Sequence, residues 1–432
     1  MSTTSQRIAA IAVLALSVAI VAFLALRAFG VPISVAASPP PAMSTSPSAS
    51  GAAPSGSAEA SASPGEDGLA AALAEIESQV RETRQLPDPG IGPPELLTRD
   101  ELAAELDASF AEDDPAEERE ADNLVLRALG LLTPDQDFAE LQQQLLTSQV
   151  LGFYDDQRQR MVIVSDAGLN ALARISYAHE YTHALQDAAF GIDGLELNAR
   201  GEDDRTLAHL SLAEGDATVT MFLWALQFAP EVIPDIAETP IPDTGDAPQW
   251  MVDSLSVPYL AGASFVFQLW TTADPSAVDA VWGQPPVSTE QVLHYDKYVA
   301  GEEPIEVEPV DLAAALGSGW TEVETNSIGE AQIGIYLRYL GASEQVAAAA
   351  SGGWGGDRIS VARNGDDVAL AWRVAWDRPA DATEFAAAWN DLIDDGAIPI
   401  PARVEQLSGT EVLVVHGSTE AIVEATLAAA GG

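Results

Sequence analysis

The feature that most constrains this chain is a pair of histidines four residues apart. They belong to the motif HEYTH, residues 179–183, in a sequence of 432 residues with only five histidines. The surrounding segment 172–190 contains no glycine or proline, and its apolar residues recur at helical spacing. Gly191 directly follows, so we predict a helix that ends there. On one helix, positions i and i+4 share a face, which aims both imidazoles at one point.

This spacing makes His179 and His183 candidate zinc ligands and Glu180 a candidate general base. Glu180 follows the first histidine and can reach a metal-bound water from the side. The chain contains no cysteine, so histidines and carboxylates must supply the ligands of any transition metal. A catalytic zinc usually has three protein ligands and a water, so a third ligand is required.

Glu214 is the third ligand that we expect. It lies on the next predicted helix, residues 206–228, which could pack antiparallel to the HEYTH helix and bring the carboxylate over the two histidines. Gly215 and Ala217 would allow the two helices to approach closely. By spacing alone, four other residues remain rivals: Glu196, Glu202, Asp203 and His209.

Together these residues resemble the gluzincin zinc metallopeptidases, the thermolysin-like group with a His, His, Glu site. More narrowly, HEYTHALQD, LAEGDAT, PPVSTEQVLHYDKY and GWGGDR are similar to an uncharacterised group of bacterial zinc-dependent peptidases, over about residues 153–377. The resemblance implies Zn²⁺, a zincin-like pair of active-site helices and hydrolysis of peptide bonds in a peptide or protein substrate. It also implies that Glu180 acts first as base and then as acid.

Gluzincins commonly stabilise the tetrahedral oxyanion with a nearby tyrosine or histidine. The segment that follows the predicted helix start at Ser288 offers His294, Tyr295 and Tyr298. We choose His294 as the catalytic stabiliser.

Metal-binding histidines usually donate their other N–H group to a carboxylate or carbonyl. Asp187, one turn after His183, and Asp216, two residues after Glu214, are the candidates for this role.

Two alternative functions stay open at this point. The protein could be a non-catalytic scaffold or surface-binding protein in which zinc is structural, or an amidase acting on cell-wall peptides. A coordination position left open beside a cleft favours an enzyme, whereas a fourth protein ligand favours the scaffold.

The N-terminal region predicts a membrane anchor followed by a linker. Residues 8–26 form an uncharged apolar run of 19 residues between Arg7 and Arg27, which is long enough to span a bilayer. We therefore assign residues 1–33 to a signal anchor and residues 34–66, rich in Ser, Pro, Ala and Gly, to a disordered linker. The expected location is the cell membrane, single-pass, with the soluble body extracytoplasmic, or secreted if the small residues at 35–38 are cleaved.

The formal charge of −47, with Lys297 as the single lysine, disfavours nucleic acid and anionic membrane surfaces as partners. The sequence does not indicate an oligomeric state.

The expected fold class is α+β. Residues 67–149 predict three or four helices, with starts at Thr98 and Thr133. Residues 150–350 would form the mainly helical, zincin-like catalytic domain. Its predicted elements are a β-hairpin (150–156 and 160–166), the HEYTH helix, the Glu214 helix and an irregular proline-rich segment up to about Pro258.

Residues 351–432 predict a small C-terminal α+β domain with the order β-β-α-β-β-α. Its GWGGDR segment, residues 353–358, is predicted as a turn, and an approach of this segment to the cleft stays open. His416, at a strand end, is expected to be structural or exposed. Four tryptophans are expected in the core: Trp354, Trp372, Trp376 and Trp389.

Overall fold

The computed structural model describes residues 66–113, 116–164, 168–197, 199–237, 239, 244–272 and 275–431. Helices and strands are both present, which confirms the α+β class. The predicted anchor, 1–33, and the linker up to residue 65 lie outside these residues. Within the described part of the chain, no helix is both long enough and apolar enough to cross a membrane.

The N-terminal section contains four helices and one short strand. They are α1 Glu66–Arg84, β1 Glu95–Leu97, α2 Arg99–Asp113, α3 Ala116–Ala128 and α4 Phe138–Gln149. The start predicted at Thr98 is confirmed, because Thr98 Oγ1 accepts from Glu101 N at 3.2 Å and Thr98 N donates to Glu101 Oε2 at 2.8 Å.

The start predicted at Thr133 is wrong. Residues 133–136 form a turn in which Thr133 N donates to the Gln136 side chain at 3.0 Å, and α4 begins only at Phe138. Asp137 is the cap, because its carboxylate accepts from Glu140 N at 3.1 Å and is held by the side chains of Arg119 and Asn123. These tertiary contacts select Asp137 over the local capping signal.

The central section begins with the predicted hairpin, which is confirmed. Strands β2 Gly152–Asp155 and β3 Arg160–Val164 pair antiparallel, and β1 adds in parallel to β3, giving the order β1-β3-β2. The helices that follow are α5 Ala171–Phe190, α6 Asp203–Phe228, α7 Val232–Ala237, α8 Gln249–Thr272, α9 Pro275–Trp282, α10 Thr289–Leu293 and α11 Tyr295–Ala300. A 3₁₀ turn, Ile192–Leu195, links α5 to α6.

The end predicted for the irregular segment, at about Pro258, is wrong, because α8 begins at Gln249 and contains that proline. Proline removes one helical hydrogen bond, which normally disfavours a helix interior. Here Trp250 and Met251 are buried in the core, and the Trp250 indole donates to Leu131 O at 2.8 Å. This packing fixes the first turns of α8 in spite of the proline.

Gly215 has a different neighbour from the one predicted. A Cβ at Gly215 of α6 would overlap the backbone carbonyl of Gly262 in α8, and a Cβ at Gly262 would overlap Ser211 O. The close approach at Gly215 therefore joins α6 to α8, rather than α6 to the HEYTH helix α5. Helix α6 lies between these two neighbours.

The C-terminal section contains α12 Leu312–Leu316, β4 Thr321–Asn326, α13 Gly329–Leu340, α14 Glu344–Ser351, β5 Trp354–Asn364, β6 Asp367–Trp376, α15 Pro379–Asp394, β7 Ala402–Gln406, β8 Glu411–Gly417 and α16 Glu420–Ala430. From β5 onward the predicted order β-β-α-β-β-α is confirmed. The strands form one antiparallel sheet in the order β4-β5-β6-β8-β7, so it includes β4 from before residue 351.

The turn predicted for GWGGDR is wrong, since residues 354–358 open strand β5. The glycines serve a close backbone approach instead. Gly355 O accepts from Ile305 N at 2.6 Å, and a Cβ at Gly356 would overlap Ile305 O.

The four tryptophans of this section are buried in the core, as predicted. His416 is also fully buried, and its Nδ1 donates to Ala128 O of α3 at 2.8 Å. The C-terminal sheet is thereby hydrogen-bonded to the N-terminal helical section.

Candidate metal site

Helix α5 positions the HEYTH motif. Its N-cap is Asn170, whose side chain accepts from Ala173 N at 2.9 Å, and it continues unbroken to Phe190. One side of α5 packs its tyrosines against α1, as the bond from Arg81 Nη1 to Tyr181 Oη at 2.8 Å shows. The motif's histidines lie towards α6.

Three predicted ligands come together at this interface. His179 Nε2 lies 3.0 Å from Glu214 Oε2 and 3.1 Å from His183 Nε2, and His183 Nε2 lies 3.6 Å from Glu214 Oε2. Tetrahedral zinc with ligand bonds of about 2.0–2.1 Å sets its ligand atoms roughly 3.3 Å apart. The triangle formed by these three atoms has that size.

The donor set fits zinc in chemical type as well. Two neutral imidazoles and one carboxylate are common ligands of a catalytic zinc, and within the described ranges this cluster holds three such groups. Glu214 Oε1 is buried and has no hydrogen-bond partner among the described residues. A buried carboxylate oxygen without a donor is costly, and a cation beside it would offset that cost.

Glu180 stands beside the three ligands. Its Oε2 accepts from Tyr154 N of β2 at 3.1 Å, while its Oε1 has no hydrogen-bond partner in the described part of the chain. Burial raises the pKa of Glu180 to about 8, with His183 acting to lower it and Glu214 to raise it. A cation in the cluster would lower this pKa and favour the carboxylate that a general base requires.

The cluster lies deep in the protein. His179, Glu180, His183 and Glu214 are each exposed by 1% or less. Burial alone would lower the pKa of His183, but the Glu214 carboxylate beside it raises that pKa to about 9. The negative charges beside this imidazole therefore outweigh the effect of its burial.

Asp187 and Asp216 were the two predicted acceptors for the second N–H group of a metal-binding histidine. Asp216 is connected to His183 through Gln186, and Asp187 is not. His183 Nδ1 donates to Gln186 Oε1 at 2.8 Å, and Gln186 Nε2 donates to Asp216 Oδ2 at 3.1 Å. Asp187 instead accepts from Tyr154 Oη at 3.0 Å. The sequence reasoning missed Gln186, although its position three residues after His183 on the same helix was a usable signal.

His294 lies elsewhere on the molecule. Its Nε2 is 2.9 Å from Glu330 Oε1, and its side chain is 42% exposed. Glu330 directly follows Gly329, which packs against Asp204, and Thr289 N at the start of α10 also donates to Asp204 Oδ1, at 3.1 Å. Asp204 precedes Glu214 by ten residues of helix, or about 15 Å. The structure thus groups His294 with the Asp204 end of α6 and not with the three predicted ligands.

The neighbours of His294 have other contacts. Tyr295 and Tyr298 pack their rings against Phe265, with centroids 6.0 and 5.0 Å away. Lys297 Nζ lies 2.6, 2.8 and 2.6 Å from carboxylate oxygens of Glu290, Glu302 and Asp377. The single lysine therefore lies at the centre of a cluster formed by these three acidic side chains.

The rival ligands also lie outside the cluster. His209 Nδ1 donates to Leu195 O at 2.5 Å. Glu196 pairs with Arg205 at 3.0 Å, and Glu202 pairs with Arg358 at 3.4 Å. Asp203 N donates to Asn326 Oδ1 at 3.1 Å, and Asp203 is the first residue of α6, about three turns before Glu214.

Tyr259 is a neighbour of the cluster that sequence reasoning did not find. It lies on α8, it is 1% exposed, and its ring centroid is 6.2 Å from that of His179. The sequence predicted an irregular segment up to about Pro258, so the start of α8, the helix that carries Tyr259, was missed.

A cavity of about 450 Å³ lies between α3, α6 and α8, and Leu210 and Pro258 line it. Leu210 is one helical turn before Glu214, and Pro258 directly precedes Tyr259. The cavity and the cluster therefore share helices α6 and α8, although none of the three predicted ligands lines the cavity.

The fold and the cluster define an α+β protein with a buried His-His-Glu site and an adjacent glutamate. A family model described as a domain of unknown function, DUF8575, matches residues 316–427. That range covers β4 to β8 and does not include the cluster. No curated protein and no solved structure matches the chain.

Proposed function

We propose that this protein is a zinc-dependent metallopeptidase. The observation that carries the proposal is the triangle of His179 Nε2, His183 Nε2 and Glu214 Oε2, of tetrahedral-zinc size, with the Glu180 carboxyl beside it. A zinc ion bound there would polarise a carbonyl oxygen and lower the pKa of its bound water to about 7.

The chain's own residues would then move the proton. Tyr154 N holds Glu180 Oε2, which leaves Glu180 Oε1 to take a proton from the attacking water. The same oxygen would pass that proton to the leaving amine nitrogen. Tyr259 is our candidate for the oxyanion stabiliser because its ring lies beside His179, whereas His294, expected from the resemblance, lies near Asp204.

The first experiment is metal analysis of the purified soluble body by mass spectrometry, with wild type beside His183→Ala. One zinc per chain in the wild type, absent from the variant, is the expected result. Wild-type protein without zinc, even after reconstitution at neutral pH, would refute the proposal.

Peptide hydrolysis is the second test, with Glu180→Gln as the matched variant. This change keeps the size of the side chain and its contact with Tyr154 but removes the base, so zinc should be retained and activity lost. Cleavage at the wild-type rate by Glu180→Gln would contradict the mechanism. A substrate panel that includes cell-wall peptides separates a general peptidase from a cell-wall peptide amidase.

A zinc-binding scaffold is the second candidate function, and the deep burial of the cluster is the observation that favours it. Substrate must reach the metal in an enzyme, whereas a structural zinc needs no access. X-ray absorption of the zinc-loaded protein distinguishes the two. Three protein ligands and a water support the peptidase, and four protein ligands support the scaffold.

We also propose that the apolar run at residues 8–26 anchors the protein in a membrane, with the soluble body extracytoplasmic. Membrane fractionation of the full chain, followed by protease treatment of intact cells, tests both parts. Release of a protein that lacks residues 8–26 would instead indicate a cleaved signal.

A further inference from the structure

A chain of polar contacts leads from His183 to the first helix of the described protein. Gln186 Oε1 can only accept, so in the neutral imidazole that a metal requires, the proton lies on Nδ1 and the lone pair of Nε2 points to the cluster. The orientation of the Gln186 amide is fixed in turn, because its Nε2 lies 3.0 Å from Ala213 O, which is also an acceptor only.

Asp216 is the next member of the chain. Its Oδ2 accepts from Gln186 Nε2 at 3.1 Å and lies 3.4 Å from Trp282 Nε1, while its Oδ1 accepts from Arg84 Nε at 2.7 Å. The side chains of Asp216 and Arg84 are both 0% exposed. A carboxylate buried to this extent needs a charged partner, and removal of one member of such a pair leaves an uncompensated charge.

Arg84 is the last residue of α1, and its position is fixed by contacts on both sides. Its Nη1 lies 2.7 Å from Asp279 Oδ1, and its guanidinium lies 5.9 Å from the ring centroid of Phe190. Helix α1 itself packs Ile76 and Val80 into the core that contains the outer side of α5. Arg84 is therefore held in place independently of the metal cluster.

We propose that Arg84 is a positioning residue for the metal site. Acting through Asp216 and Gln186, it holds the His183 imidazole in the orientation that presents Nε2 to the metal. The inference rests on the proposed zinc site and adds α1 to the parts of the chain that determine zinc affinity. Loss of an outer partner of a metal-binding histidine typically weakens metal affinity by about 10- to 100-fold.

The test is a comparison of zinc affinity, measured by competition with a fluorescent chelator, in wild type, Arg84→Met and Arg81→Met. Arg81 is the matched control, since it lies on the same helix and also contacts α5, through Tyr181. Unlike Arg84, it is not one of the residues whose polar contacts lead to His183. Arg84→Met should bind zinc about 10- to 100-fold more weakly, and Arg81→Met should bind as the wild type does. Arg84→Lys, which keeps the charge but not the forked geometry, should fall between wild type and Arg84→Met.

A spectroscopic measurement separates positioning from general destabilisation. The absorption spectrum of the cobalt-substituted protein depends on ligand geometry, so it should change in Arg84→Met and not in Arg81→Met. If Arg84→Met does not fold, Asp216→Asn is the replacement, and it should weaken zinc binding in the same direction.

The positioning role alone would be overturned if wild type and Arg84→Met bind zinc with equal affinity. It would also be overturned if Arg84→Met and Arg81→Met lose equal amounts of zinc affinity. Unchanged zinc affinity in Asp216→Asn would do the same. A wild-type protein that binds no zinc would overturn the proposed function and this inference together.

Discussion

Asp357 is a buried carboxylate whose replacement by asparagine should strongly destabilise the protein. It lies in β5, it is 4% exposed, and burial raises its pKa. Its two oxygens accept from five donors of the surrounding core: Ile328 N at 2.9 Å, Gly329 N at 3.0 Å, Ser327 Oγ at 3.2 Å, Trp354 Nε1 at 3.0 Å and Trp372 Nε1 at 2.8 Å. The carboxylate thus joins the start of α13 to two core tryptophans.

The size of the expected loss of stability follows from how these five donors are divided between the two carboxylate oxygens. Oδ2 accepts from Ile328 N and Trp372 Nε1, and Oδ1 accepts from the other three donors. An asparagine presents an NH₂ group on one side, so in either orientation two buried N–H groups lose their acceptor. Each such loss costs about 1–3 kcal/mol, which predicts a decrease of about 2–6 kcal/mol in the free energy of unfolding.

The assay is urea unfolding followed by tryptophan fluorescence at neutral pH. Asp367→Asn is the matched control, because Asp367 begins the neighbouring strand β6 and its contact with Ser418 is exposed. The control should change the free energy of unfolding by no more than about 0.5 kcal/mol. A loss below about 1 kcal/mol in Asp357→Asn would refute the reasoning from unsatisfied donors.

Three further predictions concern other single sites. Glu214→Gln keeps the side-chain size but removes the anionic ligand, so zinc content after dialysis should fall, and unchanged zinc would exclude Glu214 as a ligand. Burial lowers the pKa of His416 to about 4 from an ordinary 6.5, so the unfolded chain takes up the proton at a higher pH than the folded protein does. About 3 kcal/mol of stability that is present above pH 6.5 is therefore lost as the pH falls to 4. His416→Gln should therefore reduce the difference between unfolding free energies measured at pH 7 and pH 4.5, and a variant with the full wild-type difference would contradict this origin. Tyr259→Phe, which removes the hydroxyl of the side chain beside His179, should lower kcat for peptide hydrolysis more than His294→Ala does, and the reverse order of kcat values would return the role to His294.

The sequence was most informative where the structure depends on local spacing. The HEYTH helix, the β-hairpin before it and the β-β-α-β-β-α order of the C-terminal sheet all follow from apolar periodicity and turn residues, and they are confirmed. The missed elements have long-range causes. Helix α8 starts before Pro258 because Trp250 and Met251 are buried, and α4 starts at Phe138 because Arg119 and Asn123 hold Asp137.

The same division applies to the candidate site. His179, Glu180 and His183 follow from the sequence alone, since helical geometry fixes residues one turn apart. Glu214 was one of several carboxylates by spacing, and only the packing of α6 against α5 places its Oε2 within 3.0 Å of His179. Arg84, 132 residues from Asp216, and Tyr259 on α8 belong to the site's surroundings through tertiary contacts. A sequence encodes one helical face through short-range backbone periodicity, whereas the helices that meet that face are selected by burial of side chains distant in the chain.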